Sequence, residues 1–337
     1  MLIEHEALRH QWHAVAESAE LGVAGAETPR GVRLLGDDYV VWRGPDGDIV
    51  AAPDRCTHRE TPLSLGTVAG GCLTCPYHGW RFGAGGACIA VPSSGEGAPV
   101  PPRAHLPAVH ALEAYGLIWL CPGEPEGDLP LISQEADPRY RRINSGVETW
   151  ATSATRMTDN FLDISHFGWV HRDTFGRDEL LEVPTIELRE LDDGWYGYSY
   201  EVEVGNDKGG AAVSGEEGDT VHRRMSTGMH LPFTVRSTIH YQSGLDHIIL
   251  LCSTPIDDVT SYFTFVVWRN DDGDVPGEEI IAFDRRIGAE DKLMLERVPG
   301  VLPLDHRRTV SVQADRASVE WRRRLAGMLG GTTDAQA

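Results

Sequence analysis

At 337 residues, 41% of them hydrophobic, the chain can bury a large core and is long enough for two domains. Its formal net charge of −21 argues against nucleic acid, because phosphate binding needs a basic face. No apolar run approaches the ~20 residues of a membrane span. The N-terminus, "MLIEHEALRHQWH", is charged from Glu4 and has no secretory hydrophobic region, so a cytoplasmic location is expected.

From Val32 to Leu120 the apolar runs are strand-sized: "VRLL", "YVVW", "DIVAA", "LTC" and "GLIWL". Turns at "GPDG" (44–47) and "GAGG" (83–86) separate them, with glycine supplying positive φ. This pattern predicts a small antiparallel β domain with an irregular surface loop, "PSSGEGAPVPP" (92–102). "CPGEPEGDLP" (121–130) reads as the linker, which places the domains at 1–125 and 126–337. The second domain offers a helix-like segment at 158–171, several strands over 183–268 and a long helix at 277–298. The fold class expected is therefore α+β. The tail "GGTTDAQA" is expected to be disordered, and no internal repeat is visible. Six cysteines in a reducing compartment are no disulfide framework. Four of them, Cys72, Cys88, Cys121 and Cys252, read as plain buried thiols.

The other two cysteines lie in "CTHRETPLSLGTVAGGCLTCPYHGW". Cys56 and His58 form one knuckle, sixteen residues follow, and Cys75 and His78 form the second. A zinc finger usually pairs Cys with Cys and His with His along the chain. Here each knuckle contributes one thiolate and one imidazole. A two-iron centre explains that: one iron takes both cysteines and the other both histidines, as in a Rieske [2Fe–2S] cluster. Structural zinc is the competing reading. Gly66, Gly79 and the "GCL" turn leave room for backbone amides near the sulfides, and Tyr77 and Trp80 are candidates to shield the cluster from water.

The second constellation, "DNFLDISHFGWVH", covers 159–171. Asp163 and His166 are spaced i, i+3 and share a helix face, with Asn160 one turn earlier. His171 follows at i+5, about 140° round an ideal helix. One straight helix would not aim both imidazoles at one metal, and Gly168 is a candidate site for a bend or π-bulge. Non-haem iron takes two histidines and one carboxylate. In "EEIIAFDRRIGAEDKLMLERV", an apolar stripe of Ile280, Phe283, Ile287, Met294 and Val298 has Asp291 in its gap, on the same face. A carboxylate on a buried face is costly unless paired or metal-bound. Glu290 and Asp284 are the alternative ligands.

The knuckles, down to "CPYHGW", resemble the Rieske motif of the Rieske non-haem iron oxygenases, and the resemblance runs from "WHAVAES" to the late helix. Thr57 stands where many relatives have proline, at a position that is not a ligand. Relatives carry Asn-x2-Asp-x2-His-x4-His and a late-helix carboxylate, matched here by Asn160, Asp163, His166, His171 and Asp291. The resemblance implies a helix-grip catalytic domain with mononuclear Fe(II) beside the [2Fe–2S] cluster. It also implies electrons drawn from NAD(P)H through a ferredoxin and/or ferredoxin reductase. The single compact chain is similar to the homotrimeric vanillate and dicamba O-demethylase branch. Asp163 is implied to orient His166 by a hydrogen bond and to link it to His78 of a neighbouring subunit.

O2-dependent hydroxylation, dihydroxylation or O/N-demethylation of a small aromatic or heterocyclic substrate is the activity expected. A Rieske electron carrier with a non-catalytic binding domain, or a zinc-stabilised interaction module, would explain less of the sequence. Pocket walls are expected from the 219–268 strands, with His222, Arg236, His240, His247 and Trp268 as candidate polar handles. Purified protein is predicted to be red-brown with about three irons per chain, two in the cluster and one mononuclear. Cys75→Ser is predicted to bleach it while leaving the mononuclear site able to bind iron. Stoichiometric zinc without visible absorption would exclude the cluster.

Overall fold

The computed structural model describes residues 1–21, 28–177 and 181–330, so the 331–337 tail lies outside the described residues. It divides into two compact units, one of Ile3–Asp128 and one from Leu129 onward that includes Met1 and Leu2. No described helix is long and apolar enough to cross a membrane.

The smaller unit contains three short antiparallel sheets. The first orders His13–Glu17, Leu117–Cys121 and His110–Ala114; the second orders Arg30–Leu34, Asp37–Arg43 and Ile49–Pro53. The third runs Thr67–Ala69, Cys72–Thr74, Arg81–Phe82 and Cys88–Ala90. Alternate apolar side chains from these strands, among them Trp42, Leu73 and Phe82, close a core around Cys56 and Cys75. Cys88, Cys121 and Cys252 are buried free thiols, but Cys72 is only half-buried. It opens a three-residue strand with the Gly70–Gly71 turn directly before it, which leaves one side uncovered.

That turn presses on the "GPDG" turn. A Cβ at Gly71 would stand 2.2 Å from the Pro45 backbone nitrogen, and φ there is +73°. Trp42 Nε1 donates to the Gly71 carbonyl at 3.3 Å, tying the contact to the core.

The larger unit is built on a seven-stranded antiparallel sheet. Its order is Arg141–Trp150, Ser261–Arg269, Asp246–Pro255, Thr234–Tyr241, Thr220–His230, Tyr196–Gly205 and Arg189–Glu190. The helix Gly277–Leu295 packs through Ile280, Ile281 and Leu295 onto Trp150, Phe263 and Phe265 of the sheet. This is the α+β arrangement expected. The stripe differs at its end: Met294 and Val298 are 51% and 36% exposed, and Leu295 is buried instead. At 100° per residue the buried face drifts from Asp291 toward Leu295, leaving Met294 off it, while Val298 lies past the helix end.

The 158–171 segment is not one helix. Ala154–Phe161 and Phe167–Val170 are separate, and Gly168 sits inside the second rather than at the break. Asp163 makes the break: its Oδ1 accepts from Ser165 N (2.8 Å) and Ser165 Oγ (2.7 Å), and its Oδ2 from His166 N (3.2 Å). Side-chain bonds to amides two and three residues ahead end one helix and start another turn. Ser153 caps Ala154–Phe161, its Oγ accepting from Thr155 N. Asp159 on that helix holds Arg322 of the helix Arg316–Met328 in a bidentate pair at 2.7 and 2.9 Å.

Gly71→Ala is expected to lower stability by about 2 kcal/mol or more, since it combines a left-handed φ with a backbone collision. Denaturant unfolding followed by near-ultraviolet circular dichroism reads this directly. A midpoint within error of the parent would show that the two turns separate at no cost.

Candidate metal and cluster sites

The two knuckles of the smaller unit share one backbone design. Cys56 N donates to Thr61 O (2.9 Å), and Cys56 O accepts from Glu60 N (2.9 Å). Cys75 N donates to Trp80 O (2.8 Å), and Cys75 O accepts from Gly79 N (3.0 Å). In each loop the residue four after the cysteine has positive φ: 56° at Glu60 and 72° at Gly79. Glycine takes that conformation freely, whereas Glu60 takes it at a cost.

The knuckles sort their donors by depth. Cys56 and Cys75 are 1% and 2% exposed, whereas His58 and His78 are at the surface with ring centroids 4.5 Å apart. Trp80 stacks on His58 at 4.7 Å. Tyr77 lies 3.9 Å from His78 yet stays 63% exposed, so it covers one ring without sealing it. Burial, with Cys75 alongside, pushes the Cys56 thiol up to about 11, and its thiolate form needs a cation beside it. Among the described residues, the four donors form no group close enough to hold a single ion. A buried thiolate pair and an outer imidazole pair fit a two-iron cluster better than one zinc.

In the larger unit, three donors do converge. His166 and His171 flank the single-turn helix Phe167–Val170, and their Nε2 atoms are 3.1 Å apart. Asp291 Oδ1 lies 3.4 Å from His166 Nε2 and 3.5 Å from His171 Nε2. Donors at 2.0–2.2 Å from one ion, at 90–109° to one another, stand about 2.8–3.6 Å apart. Asp291 Oδ1 is buried and has no hydrogen-bond donor, a cost that a cation would remove. The residues present therefore fit a mononuclear metal held by two histidines and a carboxylate.

The far ring nitrogens are fixed as well. Asp163 Oδ2 is 3.0 Å from His166 Nδ1, and Glu290 Oε2 is 2.8 Å from His171 Nδ1. Thr174 Oγ1 donates to the same Glu290 oxygen at 2.8 Å. Both imidazoles are thus held by Nδ1 with Nε2 aimed at Asp291 Oδ1, the orientation a ligating histidine needs. Burial disfavours the charged His166 ring, but the carboxylates of Asp163 and Asp291 outweigh it and push the ring up to about 9. A bound cation would displace that proton. Asp163 is held below its ordinary value despite burial, by its bonds to His166 and Ser165. The alternative ligands stand elsewhere: Glu290 behind His171, and Asp284 against His247, with Oδ2 3.2 Å from Nε2.

The three donors line a cavity of about 130 Å³. Alternate residues of four neighbouring strands face it, including Arg223, Thr227, Ser237, Tyr241 and His247. Phe283, Asp284 and Ile287 close it from the helix, and Asn160 lines it with a buried Nδ2 that has no acceptor. Of the five polar handles expected from the strands, His247 alone reaches the cavity among the described residues. Arg236 pairs with Asp192 and Asp193, His240 with Asp246, and His222 with Glu201. Trp268 donates to Glu135. Arg223 and Tyr241 were missed. The signal was there, because Arg223 is in phase with Val221, Met225 and Thr227 on the inward face.

Two family models match the chain: the Rieske [2Fe–2S] domain over residues 11–110 and the vanillate O-demethylase oxygenase C-terminal domain over 150–330. Methylxanthine N1-demethylase NdmA of Pseudomonas putida is 33% identical over 328 residues, covering 96% of this chain and 89% of that protein. Methylxanthine N3-demethylase NdmB of the same species is 28% identical over 326 residues, 94% of this chain and 88% of that one. The structure of Pseudomonas putida CBB5 NdmA with caffeine superposes with a TM-score of 0.83 at 31% identity, covering 97% and 93% of the two chains.

Asp291→Ala is expected to cost about one iron per chain while the visible spectrum of the cluster persists. Glu290→Gln should weaken iron affinity about 10–100-fold, as loss of an orienting partner does, and Asp284→Ala should retain the metal. Iron analysis of the three variants separates the roles. Iron kept by Asp291→Ala and lost by either of the others would reassign the carboxylate.

Proposed function

The chain belongs to the Rieske non-haem iron oxygenases with a vanillate O-demethylase-type catalytic domain, and on that premise we propose that it removes a methyl group from nitrogen on a small planar heterocycle. It is the oxygenase component of such a system, using O2 and electrons from NAD(P)H delivered through a reductase or ferredoxin. The family carries a Rieske [2Fe–2S] cluster and a mononuclear iron. In our assignment Cys56 and Cys75 hold the inner cluster iron, His58 and His78 the outer one, and His166, His171 and Asp291 the mononuclear iron. The units split between Asp128 and Leu129 act as the cluster domain and the catalytic domain. We infer a homotrimer from the resemblance to the vanillate and dicamba O-demethylase branch, and a cytoplasmic location as the sequence suggests.

The observation that carries the reading is the convergence of His166, His171 and Asp291 on the wall of a cavity that an electron carrier does not need. When bound, the metals supply one-electron delivery and activation of O2. The protein's own residues do the rest. Asp163 and Glu290 hold Nδ1 of each imidazole and aim its Nε2 at the metal site, as partners of ligating histidines do. Phe175, Phe265, Phe283 and Ile287 exclude water from the bound ring. At about 130 Å³ the cavity is close to the ~150 Å³ apolar site known to take a benzene ring. Oxygen insertion into an N-methyl C–H bond gives a hemiaminal, which loses formaldehyde and leaves N–H. O2, two electrons and two protons balance that as formaldehyde and one water.

NdmA and NdmB, named as methylxanthine N-demethylases, favour nitrogen over oxygen as the demethylated atom. With a surrogate reductase and a panel of N-methyl and O-methyl heterocycles, formaldehyde should appear one-to-one with NADH consumed, and from N-methyl compounds first. NADH consumption yielding only hydrogen peroxide across the panel would count against demethylation. Formaldehyde from O-methyl compounds alone would move the reading to the ether branch.

A further inference from the structure

Arg223 is 3% exposed and lines the cavity, yet no ion pair or side-chain hydrogen bond joins its guanidinium to another described residue. Its Nε is a buried donor without an acceptor. The strand puts it there: Arg223 is in phase with Val221, Met225 and Thr227, so its side chain is directed into the core with theirs. Two rings bracket the guanidinium, Phe175 at 5.5 Å and Tyr241 at 5.4 Å from its central carbon. Tyr241 is its cross-strand partner. Asp284 is the carboxylate on the facing helix, but it lies against His247 Nε2 at 3.2 Å rather than against Arg223. Arg269, behind His247, is spent on Asp271, the Val213 carbonyl and His247 Nδ1.

A buried guanidinium with no counter-charge among the described residues is unfavourable. Contact with two rings offsets part of that cost and fixes the orientation of the fork. No described residue uses that fork, whose rigid pair of N–H groups matches a planar oxyanion in a bidentate pair. We propose that Arg223 is the substrate anchor, and that the substrate carries a planar carboxylate beside its methylated ring. This rests on the oxygenase reading of the cavity and adds to it a charge requirement set by one named residue of this chain. Among substrates of equal size it selects the anion, because a neutral carbonyl leaves the buried charge uncompensated.

Titration calorimetry on the iron-loaded enzyme, without reductase so that nothing turns over, tests the anchor. The probes are 1-methylimidazole-4-carboxylate and its neutral carboxamide. The parent should bind the carboxylate tighter by roughly thirtyfold or more, the scale of a desolvated charge pair. Arg223→Met should abolish that preference, and Arg223→Lys should keep part of it, having the charge without the fork. Arg223→Met should also melt no lower than the parent, since replacing an unpaired buried ion with an apolar side chain is neutral or stabilising. Equal binding of both probes by the parent, or a carboxylate preference that survives Arg223→Met, overturns the proposal. Carboxylate-selective binding with no formaldehyde from any substrate once reductase is added would instead sink the demethylation reading and leave the anchor standing.

Discussion

A carboxylate oxygen removed from water and given no donor costs several kcal/mol unless a cation stands beside it. Asp291 Oδ1 is such an atom, and the larger unit is organised around it. Two imidazoles face it with Nε2 and are directed from their other side. Asp163 and Glu290 do this from opposite directions, one within the turn that carries His166 and one from the helix that carries Asp291. Each of these carboxylates is spent on its histidine. That leaves Asp291 Oδ1 facing the two Nε2 atoms without a hydrogen-bond donor, at the point a small cation would occupy.

The seven-stranded sheet matters because it brings the remaining wall. A sheet that alternates faces can hold an apolar lining and a few polar groups at chosen points without disturbing its ladders. Here the phase of each strand decides which side chain meets the substrate. His222 and Arg223 are neighbours in sequence and opposite in role: one pairs with Glu201 on the outside, the other lines the cavity. A one-residue error in phase exchanges them.

That sensitivity explains what could be read in advance. The cluster knuckles were legible because ligand spacing is a local property, and the short loops fix it whatever the rest of the chain does. The pair His166 and His171 was visible in the same way, although the backbone between Asp163 and His166 was not: an aspartate side chain capping its own successors leaves no periodic trace. Asp291 was separable from Glu290 and Asp284 only in part. Asp284 and Asp291 lie within about 20° of each other on a helical wheel, and what faces each of them, His247 or the paired imidazoles, is a tertiary fact. The polar handles of the cavity were the least legible. Arg236 and Trp268 look like pocket residues by type, but each pairs with a residue distant in sequence, and His240 pairs with Asp246 across its own hairpin.

The depth ordering of the knuckles also bears on how the protein matures. A scaffold delivering a preformed cluster cannot reach thiols that are 1% and 2% exposed once both loops are shut. Each loop is closed by two backbone bonds around its cysteine, and Glu60 makes the first loop the less comfortable of the two. In the assignment proposed above, the thiolates would then take the cluster while the loops are open, with His58 and His78 completing its outer face last. Chain made faster than cluster is supplied would then close over two empty inner thiols.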